Sequence, residues 1–310
     1  MTATFSIALH GGAGTIRKDT LTEALARRYH AALRHALEEG AAVLRADGAA
    51  LDAVTAAVIA LEDEPLFNAG RGAVFNSDGR QEMDAAIMDG RTRRAGAVAG
   101  IFGPRNPVLA ARAVMERSAH VLMIGEGAQR LARDVGLAFA DDAHFFTDER
   151  WQALQTTLRM RATGAEDDDP ARRHGTVGAV ARDRAGNLAA ATSTGGMTAK
   201  TPGRVGDTPM IGAGTFACNR SCAVSATGHG EVFIRYAAAH EISARMRHAG
   251  ESLGDAARAV VMGDLAANDG SGGLVAVDAG GRVVMPYNCE GMYRAAIEAE
   301  GEPVSFIHDR

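Results

Sequence analysis

The sequence predicts an α+β fold built from two packed sheets with helices outside. Apolar residues recur at helical spacing in the first third of the chain. Short apolar segments separated by Asp/Gly turns follow, and two strand–turn–strand units with glycine in the turn stand in the second half. Strands in both halves, each half with its own helices, suggest two sheets packed into one fold. Glycine (37 residues) and alanine are abundant and aromatics are only 5% of the 310 residues, which suits sheets and helices whose backbones come close.

Taken in order, Phe5 to Leu9 reads as a first strand ended by the turn His10-Gly11-Gly12-Ala13-Gly14. A helix rich in Ala and Leu is expected from about Leu21 to Arg45. A second carries Leu51, Val54, Val58 and Leu61 on one face and stops before Pro65. Val74-Phe75, Met83 to Met88 and Ala95 to Ala99 read as short strands. Pro107 to Arg117 and Glu126 to Val135 read as helices. From about Leu158 to Arg173 apolar content almost vanishes. This stretch, with its acidic run Glu166 to Asp169, reads as a solvated mobile linker rather than a metal site, because consecutive acids without His repel one another. Beyond it, Thr176 to Asp183 with Leu188 to Thr192, and Leu274 to Asp278 with Val283 to Tyr287, form the two hairpins. Glu231 to Met246 and Leu253 to Ala266 read as the helices between them.

Charge and motif content exclude the commoner chemistries. A net charge of −5 without a basic stripe argues against nucleic acid. Cys218, Cys222 and Cys289 lack zinc spacing and point to a reduced cytoplasmic setting. The apolar run Phe5 to Leu9 is too short for a signal sequence or a membrane span. No phosphate-binding or dinucleotide loop has the required spacing, and no serine sits in a G-x-S-x-G elbow. His240-Glu241 lacks the second His of a zinc helix.

What carries chemistry is a dense run of Thr, Gly, Arg and Asp: HGTVGAVARDRAGNLAAATSTGGMTAKTPGRVGDTPMIGAG from His174 to Gly214, then SATGHGEVF from Ser225 to Phe233. With LHGGAGT near the start, LEDEPLFNAGRGAVFN further on and GSGGLVAVD near the end, these segments resemble the plant-type asparaginase/isoaspartyl peptidase family over nearly the whole chain. The resemblance implies a four-layer αββα sandwich of the N-terminal-nucleophile hydrolases and autoproteolysis of the Gly175–Thr176 bond. One domain made as a precursor would become an α subunit, 1–175, and a β subunit, 176–310. It implies hydrolysis of L-asparagine and β-aspartyl dipeptides through an acyl-enzyme, with no cofactor for catalysis, and a dimer of αβ heterodimers. The chemistry is sound: a threonine hydroxyl is a weak nucleophile without a base. Cleavage would free an α-amine of pKa about 8 beside it.

Roles carry over position by position. Taken alone, Thr176 opening a strand is an ordinary structural residue; the motif makes it the nucleophile. Thr194 resembles the second threonine, hydrogen-bonded to it. Arg204 and Asp207 resemble the substrate clamp, a planar fork for an α-carboxylate and an acceptor for an α-ammonium. By itself such a pair would be a surface salt bridge of little worth. Val205, Gly206, His229 and Gly230 line the substrate in the same reading. Thr227 and Gly228 resemble the oxyanion hole, and Asn68 the group that orients the freed amine. The loop around it implies a structural sodium ion held by the carbonyls of Leu61, Glu62, Glu64, Phe67, Ala69 and Arg71, and carbonyl ligation leaves no side-chain signature. His10 is expected to be a satisfied structural histidine. Gly175 stands where many relatives have Asp, Arg71 where they often have a small or apolar residue, and Cys289 where a Thr is frequent. The alternatives are a glycosylasparaginase or a threonine protease of the same family, and an inactive relative kept as a structural protein.

Overall fold

The computed structural model describes residues 4–19, 21–164 and 175–308. The chain opens with β1 (Ser6–Gly14), α1 (Glu23–Arg45) and α2 (Ala50–Asp63). It continues through β2 (Met83–Asp89), β3 (Ala95–Ile101), α3 (Pro107–Arg117), β4 (Leu122–Ile124), α4 (Gly125–Asp134), α5 (Asp142–Phe145) and α6 (Asp148–Ala162). After the undescribed stretch come β5 (Val177–Arg182), β6 (Leu188–Thr194), β7 (Thr215–Ala217), β8 (Cys222–Gly228), α7 (Gly230–Arg235), α8 (Ala238–Ala244), α9 (Leu253–Arg258), β9 (Gly272–Asp278), β10 (Val283–Val284), β11 (Gly291–Ile297) and β12 (Val304–Phe306).

Among the described residues eight strands form one sheet in the order β12-β11-β1-β5-β6-β2-β3-β4. Four form a second, β10-β9-β8-β7. All neighbours are antiparallel except β3 and β4. Strict alternation divides the core between the layers. On β1, Ile7 and Leu9 pack with Leu33, Leu37, Val54 and Val58 of α1 and α2, while Ala8 joins Val224 and Val275 of the smaller sheet. On β5, Val177, Ala179 and Ala181 face the helices and Val180 faces β8. Helices α8 and α9 bury Ile242, Leu253 and Ala257 on the other side of the small sheet. The fold is thus an α+β sandwich of helices, sheet, sheet and helices. No helix among the described residues is long and apolar enough to cross a membrane.

Strands of both halves interleave in the larger sheet, as one fold requires. Several expectations are corrected. β1 does not end at His10. It runs to Gly14 with a bulge between His10 and Gly12, since β11 pairs along it. Val74-Phe75 is not a strand: the Val74 N–H donates to Asn68 Oδ1 (2.9 Å) and the Phe75 carbonyl accepts from Ala199 (2.8 Å). Residues 158–162 are not linker but the end of α6, where Leu158 packs beside Leu154, Phe75 and Ala199. The acidic run 166–169 lies outside the described residues. The helix expected over 231–246 breaks at Ala237 (φ 45°). There α8 starts afresh by donating Ala239 and His240 N–H to the carbonyls of Ala213 and Gly212. The helix expected over 253–266 loosens after Arg258 into a π-helical turn, Ala259–Leu265.

Candidate active site

Thr176 immediately precedes β5 in the middle of the larger sheet. The β5–β6 register, Val177 against Ser193, brings Thr194 opposite it. Thr176 Oγ1 donates to Thr194 Oγ1 (3.1 Å), and Thr194 Oγ1 donates to the Gly175 carbonyl (3.0 Å) while accepting from Gly196 N–H (2.9 Å). Asn68, just beyond α2, donates its amide to the same Gly175 carbonyl (2.8 Å) and to that of Gly196 (2.7 Å). The carbonyl oxygen of the Gly175–Thr176 bond therefore lies between two donors, and the hydroxyl next in sequence is tied to one of them. An oxygen so placed is prepared for negative charge. All three side chains are buried, with Thr176 at 7% exposure, Thr194 at 2% and Asn68 at 2%, so bulk water does not dilute these bonds.

A second layer fixes the Thr176 backbone. His10 is buried, and desolvation lowers its pKa to about 3, so the ring is neutral. Its Nδ1–H donates to the Thr176 carbonyl (2.9 Å), and Nε2 accepts from Ser225 Oγ (2.8 Å). Ser225 is bonded in turn to Thr192 (2.7 Å), and Thr192 to Thr215 (2.7 Å). This chain crosses from the large sheet to the small one. It requires glycine at 178, where an added Cβ would stand 1.9 Å from Ser225 Oγ. His10 is thus a fully satisfied residue. Reading along the sequence could not have found the chain, because its members stand up to 215 residues apart.

Beside Thr176 opens a narrow pocket lined by Gly175, Thr176, Thr194, Gly196, Met197, Arg204, Gly206, Asp207, Thr208 and Gly228. Asp207 Oδ2 is buried with no hydrogen-bond partner among the described residues. Desolvation pushes its carboxyl up to about 7, although Arg204 pulls the other way. A buried, unmatched carboxyl is costly. A ligand ammonium would supply what it lacks. An added Cβ at Gly230 would lie 2.9 Å from Asp207 Oδ1 and 3.1 Å from Arg204, so glycine leaves room for both.

Arg204 is not free. Its fork meets Glu231 through Nε–Oε1 (2.9 Å) and a second bond to Oε2 (2.8 Å). The Arg204 guanidinium holds the Glu231 carboxyl below the usual range. The sequence reading missed Glu231, and the one available signal was its acidic side chain two residues beyond His229 in the SATGHGEVF motif. A substrate carboxylate must displace Glu231 or share the arginine with it. The Arg204 side chain is mostly buried and that of Glu231 about half exposed, so water reaches the pair from the Glu231 side. Thr227 does not line the cavity. It sits one residue behind Gly228, fully buried, with Oγ1 accepting the Ala13 N–H (3.2 Å). Val205 and His229 are also outside the lining, and the Nδ1 of His229 faces the Asp269 carbonyl at 3.3 Å.

In the loop after α2, the carbonyls of Glu64 and Ala69 already accept N–H from Phe67 (3.2 Å) and Gly72 (3.1 Å). Each keeps a second lone pair, so both are compatible with ligation by backbone oxygen. Arg71 is exposed, and burial pushes the Glu62 carboxyl up to about 8. No group of three or more His, Cys, Asp or Glu side chains suited to a metal occurs among the described residues.

The sequence pattern of the asparaginase family matches residues 3–307. The chain is 54% identical to an isoaspartyl peptidase of Salmonella typhimurium, over 97% of this chain and 98% of that protein. It is 52% identical to the isoaspartyl peptidase of Escherichia coli, over 97% and 95% of the two chains. A plant-type L-asparaginase of Pyrobaculum calidifontis is 44% identical over 93% and 95%. By its motifs, its sandwich and these matches, the chain belongs to the plant-type asparaginase/isoaspartyl peptidase family of N-terminal-nucleophile hydrolases.

Proposed function

We propose that this protein hydrolyses L-asparagine and β-aspartyl dipeptides, using Thr176 as a nucleophile that self-cleavage exposes. The observation that carries the reading is the Gly175 carbonyl held by Asn68 and Thr194, with Thr176 Oγ1 bonded to Thr194. In the first stage Thr176 Oγ attacks the Gly175 carbonyl carbon, and the hydroxyl proton passes by way of Thr194 to the departing nitrogen. The C–N bond breaks as the C–O bond forms. Water then hydrolyses the ester to a Gly175 carboxylate and a free Thr176. In the second stage the new α-amine takes the hydroxyl proton as Thr176 Oγ bonds to the side-chain carbonyl carbon, and delivers it to the leaving amine as the C–N bond breaks. Water then hydrolyses the aspartyl ester to release aspartate and restore Thr176. Gly228 N–H and the Thr227 hydroxyl meet the charge on the side-chain carbonyl. Asp207 and Arg204 grip the α-ammonium and α-carboxylate, Gly206 and Gly230 give them room, and Val205 and His229 hold the loops behind them.

The loop Leu61 to Arg71 is proposed to hold a structural sodium ion through carbonyls, outside the chemistry. A dimer of αβ pairs in the cytoplasm completes the reading.

Mass spectrometry tests the first stage, and ammonia release from L-asparagine tests the second. Wild-type protein incubated at neutral pH should give fragments 1–175 and 176–310 and release ammonia. Thr176→Ala should stay intact and lose several orders of magnitude in turnover, whereas Thr176→Ser should keep part of both. An intact chain with full activity, or an active Ala variant, would reject the mechanism.

A further inference from the structure

Next to the small cavity lies a larger, partly open cleft. Gly175 lines both. The backbone of Gly12 closes in from β1, its Cβ position 3.2 Å from Gly175 Cα and 3.4 Å from Thr176 N. One wall is aromatic and apolar: Tyr29 and Tyr293 stack with centroids 4.0 Å apart, and Leu25 and Ile16 stand near them. Another wall holds Arg150. Its Nε and one Nη donate to the carbonyls of Gly72 (2.9 Å) and Leu66 (3.2 Å), and no carboxylate pairs with it among the described residues. The other arginine of the cleft, Arg17, is paired with Asp19 (3.0 Å). A buried cation with no ion-pair partner among the described residues is expensive, and desolvation draws the Arg150 pKa down although the nearby Glu149 charge pulls the other way.

We infer that this cleft is the leaving-group subsite, which takes the C-terminal residue of a β-aspartyl dipeptide with its α-carboxylate on Arg150 and an apolar side chain against Tyr29 and Leu25. The inference rests on the proposed function. With Gly175 cut from Thr176, the two spaces meet at the Thr176 amine. That amine must hand its proton to the leaving nitrogen, so the nitrogen lies where the Gly175 carbonyl carbon was bonded. An aspartyl unit gripped by Asp207 and Arg204 in the small cavity therefore places its leaving residue in the adjoining cleft, which shares Gly175 with the cavity and reaches Thr176 N along Gly12. In L-asparagine the leaving group is ammonia, and the cleft contributes nothing. Preference for a dipeptide over asparagine is then built by residues that never touch the aspartyl unit.

The test compares kcat/KM of the self-cleaved enzyme for β-Asp-Leu, β-Asp-Leu amide, β-Asp-Gly and L-asparagine. Losing a charge-assisted bond to Arg150 should cost β-Asp-Leu amide roughly 10–100-fold against the free dipeptide. β-Asp-Gly should fall between β-Asp-Leu and L-asparagine. In Arg150→Gln, which keeps an amide for one of the two carbonyls, the discrimination between acid and amide should collapse towards unity. Leu25→Trp, which fills the cleft, should lower the ratio of β-Asp-Leu to L-asparagine turnover at least tenfold. Equal rates for acid and amide in the wild type, or an unchanged substrate ratio in Leu25→Trp, overturn the subsite. Failure to turn over any of the four would instead reject the proposed function itself.

Discussion

Thr227 is fully buried behind Gly228, outside the cavity lining, and its hydroxyl accepts the Ala13 amide, so its proposed role at the substrate carbonyl requires the site to open towards it. Thr227→Val keeps the shape and removes the hydroxyl. If the charge it meets develops only in the transition state, kcat should fall roughly 10²–10³-fold with KM little changed. A rise in KM alone would make it a ground-state contact. Asp207 gives a second expectation. Its carboxyl, desolvated and pushed up to about 7, must be ionised to hold an α-ammonium. Inhibition by L-aspartate should therefore weaken as pH falls through about 7, and this dependence should vanish in Asp207→Asn, with weaker binding throughout. Protonating the Thr176 amine over the same range would strengthen binding of an anion, so weakening on acidification points to Asp207. A Ki independent of pH between 5.5 and 8 would remove Asp207 from the clamp. At this scale the sequence showed the motif residues because their identities are unusual together. It could not show that Arg204 is already engaged by Glu231, which depends on where two loops meet.

Elements were legible where apolar spacing or turn residues mark them. Helix α1 buries a single stripe, α2 and α3 carry apolar residues at helical spacing, and the hairpins β5–β6 and β9–β10 carry glycine in their turns. β8 was not read because Cys222-Ala-Val-Ser-Ala-Thr-Gly228 is buried on both faces, where small residues replace alternation. The same smallness lets the two sheets approach near the nucleophile. There β5 passes so close to β8 that Ser225 Oγ would stand 1.9 Å from a Cβ at residue 178. Gly178→Ala must push the sheets apart or break the His10–Ser225 bond. The expected cost is about 1–3 kcal/mol of stability, as for other overpacked cores, read as a lower melting temperature. Because His10 holds the Thr176 carbonyl, self-cleavage should slow as well. A Gly178→Ala protein with wild-type melting and processing would show that the sheets yield freely at this point.

The larger sheet sets what the proposed cut at Gly175–Thr176 does to the molecule. Its strands from residues before the cut are β1, β2, β3 and β4, and those after it are β5, β6, β11 and β12. They interleave: β1 lies between β11 and β5, and β6 lies between β5 and β2. Three seams of antiparallel hydrogen bonds therefore join the two fragments, at β11–β1, β1–β5 and β6–β2. Behind them α2 of the first fragment packs on Val177, Ala179 and Ala191 of the second, and α1 packs on β11. Breaking one peptide bond removes none of this. It frees chain ends near the site while both cores stay buried. The fragments should then co-elute as one particle on size exclusion in native buffer and separate only in denaturant. Expressed alone, residues 176–310 would lack β1 and leave β11 and β5 with open edges, so that piece should aggregate or stay unfolded. Cleaved wild type and uncleaved Thr176→Ala should each melt in one cooperative transition. Dissociation of the fragments in native buffer, or a stable folded 176–310 fragment, would mean the interleaved sheet is not what binds the halves.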